Sequence, residues 1–108
     1  MSNKYHAVRC WSNLCQRGFD SKAECRRGEE LHLLQMAGEI TDLQYQIKFV
    51  LSEKPRITIT IDFSYIELGT NRISIETYED TKGVLTRDFR TKMAWLKEQR
   101  GIDVLLSK

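Results

Sequence analysis

Apolar residues recur at two spacings along the chain, and the changes of spacing mark its elements. Ala23, Leu31, Leu34 and Ala37 form a broken stripe at helical spacing. Asp20 and Ser21 stand ahead of it, and Ser21-Lys22-Ala23-Glu24 has the spacing of a capping box. In such a box a hydroxyl and a carboxylate each satisfy a free backbone N–H of the first turn. Gly38 is placed to stop the helix, so the pattern predicts a first helix over 21–37. Leu43, Tyr45, Ile47, Phe49 and Leu51 then alternate with Gln44, Gln46, Lys48 and Val50. That period of two sends successive side chains to opposite faces of a strand. Glu53-Lys54-Pro55 breaks it. A second strand sets Ile57, Ile59, Ile61, Phe63 and Tyr65 against Thr58, Thr60, Asp62 and Ser64, β-forming in residue type as well as period. Gly69-Thr70-Asn71 makes a turn, and a third strand runs from Ile73 to about Lys82, where Gly83 ends it.

From Thr86 the helical period returns with Phe89, Met93 and Leu96. Arg100 closes the last turn and Gly101 is placed to cap it. Ile102, Val104, Leu105 and Leu106 predict a short final strand. The expected order is α-β-β-β-α-β, an α/β domain over 19–108. Residues 1–18 show no clean period and read as a basic N-terminal arm or lead-in.

With 108 residues, 41% hydrophobic and 30% charged, the chain is long enough for one folded core and too apolar to stay disordered. The formal charge of +2 excludes a simple polycation. Yet the charges are segregated. Residues 1–27 carry Lys4, Arg9, Arg17, Lys22, Arg26 and Arg27 against Asp20 and Glu24. Residues 28–81 carry four bases against ten acids. Residues 82–100 carry Lys82, Arg87, Arg90, Lys92, Lys97 and Arg100 against Asp88 and Glu98. Two basic segments around an acidic middle suit a polyanion partner approached from both sides, or segments that pair with one another. No apolar run has membrane-spanning length and the N-terminus lacks a signal-peptide core, so a cytoplasmic protein with no membrane partner is expected.

Cys10, Cys15 and Cys25 are odd in number and read as reduced thiols. Zinc held by His6, Cys10, Cys15 and Cys25, with His32 in reserve, is the competing assignment, but no compact CxxC pair supports it.

The residues that carry chemistry lie on the second and third strands. Asp80 and Lys82, two apart, project from one face, and Glu79 points the other way. If the Gly69 turn makes a hairpin, Asp62 comes beside Asp80 across the ladder. Carboxylates that close repel unless a shared proton or a divalent cation offsets the repulsion. Mg²⁺ takes hard oxygen ligands, and Mn²⁺ is expected to substitute for it. A lysine beside them can assist attacking water or steady charge on phosphate, which is the equipment for phosphodiester hydrolysis. An ordinary solvated strand face is the plainer account of Asp80 and Lys82.

Asp62 followed by Asp80-Thr81-Lys82 across a hairpin resembles the PD-(D/E)xK nuclease motif. More closely, Phe19-Asp20-Ser21-Lys22-Ala23-Glu24, Ala37-Gly38-Glu39-Ile40, Asp62-Phe63 with Tyr65, and Glu79-Asp80-Thr81-Lys82-Gly83 resemble a small phage-encoded family of that superfamily. The similarity runs from residue 4 to about 97. It implies a restriction-endonuclease-like core, a central mixed sheet flanked by helices, with a metal-dependent DNA endonuclease centre. Asp62 and Asp80 would then be metal ligands and Lys82 the catalytic lysine. Glu24 matches the acid that many relatives add to the metal site, a duty compatible with capping the helix. Ile61 stands where the motif has proline, and Asp80 where Glu is commoner.

Gln46, on the polar face of the first strand, is placed to touch the scissile phosphate or to be a plain surface amide. Arg26, Arg27, Arg87 and Lys92 are candidate phosphate contacts. Tyr5 and Trp11 could stack on exposed bases or pack on the fold. The resulting expectation is a Mg²⁺-dependent endodeoxyribonuclease acting on branched DNA, in the manner of a junction resolvase, during phage recombination, replication or packaging. A homodimer cutting paired strands suits so small a chain. The alternative is a non-catalytic nucleic-acid-binding or assembly protein that keeps the fold.

Overall fold

The computed structural model describes residues 8–69 and 73–107. It contains β1 (Cys10–Ser12), β2 (Arg17–Phe19), α1 (Lys22–Met36), β3 (Ile40–Glu53), β4 (Arg56–Leu68), β5 (Ser74–Thr81), α2 (Arg87–Arg100) and β6 (Val104–Ser107). β3, β4, β5 and β6 form one mixed sheet in that spatial order, antiparallel except for the parallel pair β5–β6. The expected α-β-β-β-α-β run is therefore present, as an α/β fold of two helices and a four-stranded mixed sheet.

Both helices start and stop for local reasons. The Ser21 hydroxyl accepts the Glu24 N–H at 3.1 Å, so Ser21 is the N-cap of α1. Thr86 does the same for α2 by accepting the Phe89 N–H at 3.2 Å. Gly101 ends α2 in the left-handed conformation, φ 69°, where a side chain would be strained.

Two clusters make the core, and the odd-numbered residues of β4 feed both. Phe63 and Tyr65 pack with Phe19, Cys25, Leu31 and Ile40 beneath α1. Ile59 and Ile61 pack with Leu51 and with Leu96 of α2. Each such side chain taken from water contributes about 1.5–3 kcal/mol. Gly28 lets α1 approach β2. A Cβ there would meet the buried Phe19 ring at 2.6 Å.

The N-terminal segment differs from the irregular lead-in expected of it. Residues 10–19 fold as a β1–β2 hairpin, paired Cys10 to Phe19 and Ser12 to Arg17. Buried Ser12 ties the hairpin to α1 by donating to Glu29 Oε2 at 2.7 Å. Three-residue strands are too short to show a period, which is why the pattern missed them. β3 also departs from strict alternation. Its register shifts between Thr41 and Gln44 and again between Val50 and Ser52, and Asp42 and Gln46 adopt left-handed φ of 54° and 55°. The Thr70-Asn71 part of the expected turn, with Tyr5 and His6, lies outside the described residues.

No helix among the described residues is long and apolar enough to cross a membrane.

Candidate active site

The β4–β5 ladder runs from Leu68↔Ser74 to Phe63↔Glu79 and then hands over to side chains. Asp80 Oδ1 accepts the backbone N–H of Asp62 at 2.9 Å, and Asp62 Oδ2 accepts the N–H of Thr81 at 2.9 Å. At this point β5 stays with β6, where Asp80 pairs with Leu106 and Thr81 with Ser107. Lys82 continues that attachment by donating its backbone N–H to the Ser107 carbonyl at 2.9 Å. The two aspartates thus close the fork where the strands part.

Glu24 comes to them from the first turn of α1. Its carboxylate Oε2 accepts the Asp20 N–H at 2.9 Å, one residue earlier than a standard capping box would place it. The same carboxyl lies against that of Asp62. Gln46, held in its left-handed conformation across from Asp62, places Nε2 3.4 Å from Asp62 Oδ1. Such a backbone costs a non-glycine residue about 1 kcal/mol or more. Lys82 completes the group, with Nζ 3.2 Å from Asp80 Oδ2 and 4.2 Å from the centre of the Phe89 ring.

Crowding acid groups out of water disfavours their charge. Burial, then the hydrogen bond and charge of Glu24, lift the Asp62 carboxyl to about 7, against the N–H of Thr81 and the charge of Lys82. Burial and the Asp62 charge lift Asp80 to about 6, with Lys82 opposing.

Behind the cluster, buried Glu79 has the opposite fate. Burial pushes its carboxyl up, but hydrogen bonds from Arg27, Tyr65 and Ser107 and the Arg27 charge together hold it below the usual range. Arg27 donates Nε and Nη2 to its two oxygens at 2.6 and 3.0 Å, and the Tyr65 hydroxyl donates at 2.7 Å. This network braces β5 against α1 and β4 directly beside Asp80. Glu79 is the residue that the pattern located but gave no duty. Its inward-pointing charge was the signal, because a buried carboxylate demands a partner.

Of the expected site residues, Asp62, Asp80, Lys82, Glu24 and Gln46 come together. Arg27 does not serve as a free phosphate contact, since Glu79 and Glu30 engage its guanidinium. Lys92 pairs with Asp88 one turn away at 3.1 Å. Arg26 and Arg87 are exposed, and neither contributes a hydrogen bond or ion pair to the cluster. Trp11 is exposed on the hairpin, its indole N–H donating to Asn13 at 3.1 Å.

Among the described residues, no three His, Cys, Asp or Glu side chains stand in an arrangement ready to hold an ion. Asp62 and Asp80 each spend one oxygen on a backbone N–H. The donor chemistry nevertheless suits a hard divalent cation. Glu24 lies against Asp62, Asp62 faces Asp80, and the buried Oδ2 of Asp80 has the Lys82 ammonium 3.2 Å away. Burial, with Cys10, Glu29 and Cys15 around it, pushes the Cys25 thiol up to about 12.

Neither a curated protein nor a solved structure matches the chain. A family profile does match, over residues 2–104, nearly the whole length. The chain accordingly belongs to the family described as "Protein of unknown function (DUF1064)".

Proposed function

We propose that this protein is a divalent-metal-dependent DNA endonuclease of the PD-(D/E)xK type, related to small phage-encoded enzymes. The observation that carries the proposal is the fork between β4 and β5, where Glu24, Asp62 and Asp80 converge beside Lys82. A buried Asp80 and a half-buried Asp62, both with raised proton affinity, are costly to fold and have an evident use as cation ligands.

Asp62, Asp80 and Glu24 would hold Mg²⁺ or Mn²⁺. When bound, such a cation draws charge from a phosphoryl oxygen and lowers the pKa of water. The chain's own residues supply position and charge. Asp62 and Asp80 keep their geometry through the backbone N–H groups of Thr81 and Asp62. Lys82, steadied between Asp80 and Phe89, presents its ammonium to stabilise negative charge developing on phosphate or to orient the attacking water. Gln46 presents an amide at the same point.

Branched DNA is the proposed substrate, acted on in the cytoplasm of a bacterial host by a symmetric pair of copies, one active centre per strand. Incubation of supercoiled and four-way-junction DNA with Mg²⁺, Mn²⁺ or EDTA tests this. Cutting with either cation, lost in EDTA and in Lys82→Ala, is the expected result. Unchanged cutting by Lys82→Ala removes the centre assigned here. Tight DNA binding with no cutting under any cation would instead assign the chain to nucleic-acid binding.

A further inference from the structure

Resting on the assignment of the carboxylate centre to nucleic acid, we infer that the β1–β2 hairpin carries a phosphate-binding site. Arg9 and Arg17 hold the phosphodiester adjacent to the one presented to Asp62 and Asp80. A cavity of about 210 Å³ opens between the hairpin and the centre, walled by Arg9, Arg17, Gly18, Asp20, Glu24 and Gln46. It shares two walls with the centre, because Glu24 lies against Asp62 and Gln46 stands 3.4 Å from it.

Arg17 is the fixed half of the site. Its guanidinium carbon sits 4.3 Å from the centre of the Tyr45 ring and 5.2 Å from that of Phe19, which orients the fork without consuming it. Its Nε points to the Gly18 carbonyl at 3.4 Å, and no carboxylate oxygen among the described residues lies within ion-pair distance. Other bases are engaged differently: Arg27 by Glu79 and Glu30, Arg56 by Glu53, Lys92 by Asp88 and Lys97 by Asp103. A guanidinium held against two rings, with its Nη groups in no ion pair among the described residues, suits a phosphate oxygen pair.

Arg9 is the exposed half. Its only carboxylate neighbour among the described residues is Asp20, 3.8 Å away, with both side chains about three-quarters exposed. An exposed pair this loose is readily exchanged for a phosphate. The acids in the wall do not cancel the site. Glu24 directs its carboxylate to Asp62 and the Asp20 N–H, and Asp20 is the group Arg9 would leave.

Fluorescence anisotropy on labelled duplex and four-way-junction DNA, with EDTA and an Asp80→Asn background to prevent cutting, tests the inference. Arg9→Gln and Arg17→Gln should each weaken binding about tenfold on every sequence. Each should also lower the slope of log affinity against log salt by about one. Arg56→Gln, at the start of β4, should change neither. Oligonucleotides with and without a 5′-phosphate should bind alike. Dependence on the terminal phosphate alone would overturn the assignment to a strand phosphodiester. Thermal melts check folding, and the exposed Arg9 keeps the test open should Arg17→Gln unfold. Unaltered affinity and slope in both arginine variants overturns the site while leaving the nuclease proposal intact. Arginine-dependent binding by a wild-type chain that never cuts supports the site and removes the nuclease proposal.

Discussion

Asp80 gives one carboxylate oxygen to the backbone N–H of Asp62 at 2.9 Å and sets the other, buried, 3.2 Å from the Lys82 ammonium. An asparagine at this position keeps an oxygen for the Asp62 N–H and removes the charge that faces Asp62. Asp80→Asn should therefore hold or raise the thermal midpoint in the absence of divalent cations. It should also reduce metal-dependent cleavage by at least ~100-fold. Calorimetry paired with a cleavage assay checks both halves. A midpoint several degrees lower would mean that the carboxylate serves the fold rather than a cation.

The pH dependence of stability follows from the same crowding. Asp62 and Asp80 titrate near 7 and 6 in the folded chain, against about 3.9 unfolded. Between those values the folded state binds more protons, so stability falls as pH rises through that window. Glu79, lowered in the folded state, acts in the opposite sense, and its contribution is lost in acid. From these groups, stability without divalent cations should be highest at about pH 4 and decline until about pH 7. Urea titrations at half-unit steps in EDTA measure this, and a profile rising from pH 5 to 8 would contradict it.

The proposal gives Glu24 a metal duty beside its bond to the Asp20 N–H, and one substitution separates the two. Glu24→Gln retains an oxygen for the Asp20 N–H, so α1 stays capped and the metal-free midpoint should move by less than about 1 kcal/mol equivalent. Mg²⁺ or Mn²⁺ at a hundred times its dissociation constant should stabilise the wild type by about 2.7 kcal/mol. Most of that gain should vanish in Glu24→Gln. Thermal melts across a metal titration give the answer, and an undiminished gain would leave Glu24 as a cap alone.

Arg27→Ala should destabilise the protein by about 3–5 kcal/mol, because Glu79 would be left fully buried without its counter-charge. Chemical denaturation measures the loss. A nearly neutral substitution that weakened DNA binding would return Arg27 to the phosphate-contact role that its charge first suggested.

Long periodic segments were readable before any coordinates. α1 begins at Ser21 and α2 ends at Gly101 because caps are local chemistry, decided by a few adjacent residues. The alternation from Ile57 to Tyr65 located β4 and put Asp62 opposite its apolar face. Combined with a hairpin, it brought Asp62 to Asp80. Illegible features were those whose cause lies far along the chain. The guanidinium of Arg27 is committed to Glu79, 52 positions away, which no local count of charge reveals. Ser12 anchors the hairpin through Glu29, 17 positions on. Gln46 takes a left-handed backbone with no glycine to announce it, so the irregularity of β3 beside the centre was invisible.

The parallel pairing of β5 with β6 makes the centre depend on a distant stretch of chain. Thr81 and Lys82 are fixed by Ser107, through a hydroxyl contact of 3.1 Å and a backbone hydrogen bond of 2.9 Å. The cap of α1 and the β4–β5 ladder rest on nearby residues, whereas the Lys82 backbone is held by a strand that lies beyond α2. Loss of β6 would therefore loosen the backbone at Lys82 while leaving the caps of both helices and the β4–β5 ladder in place.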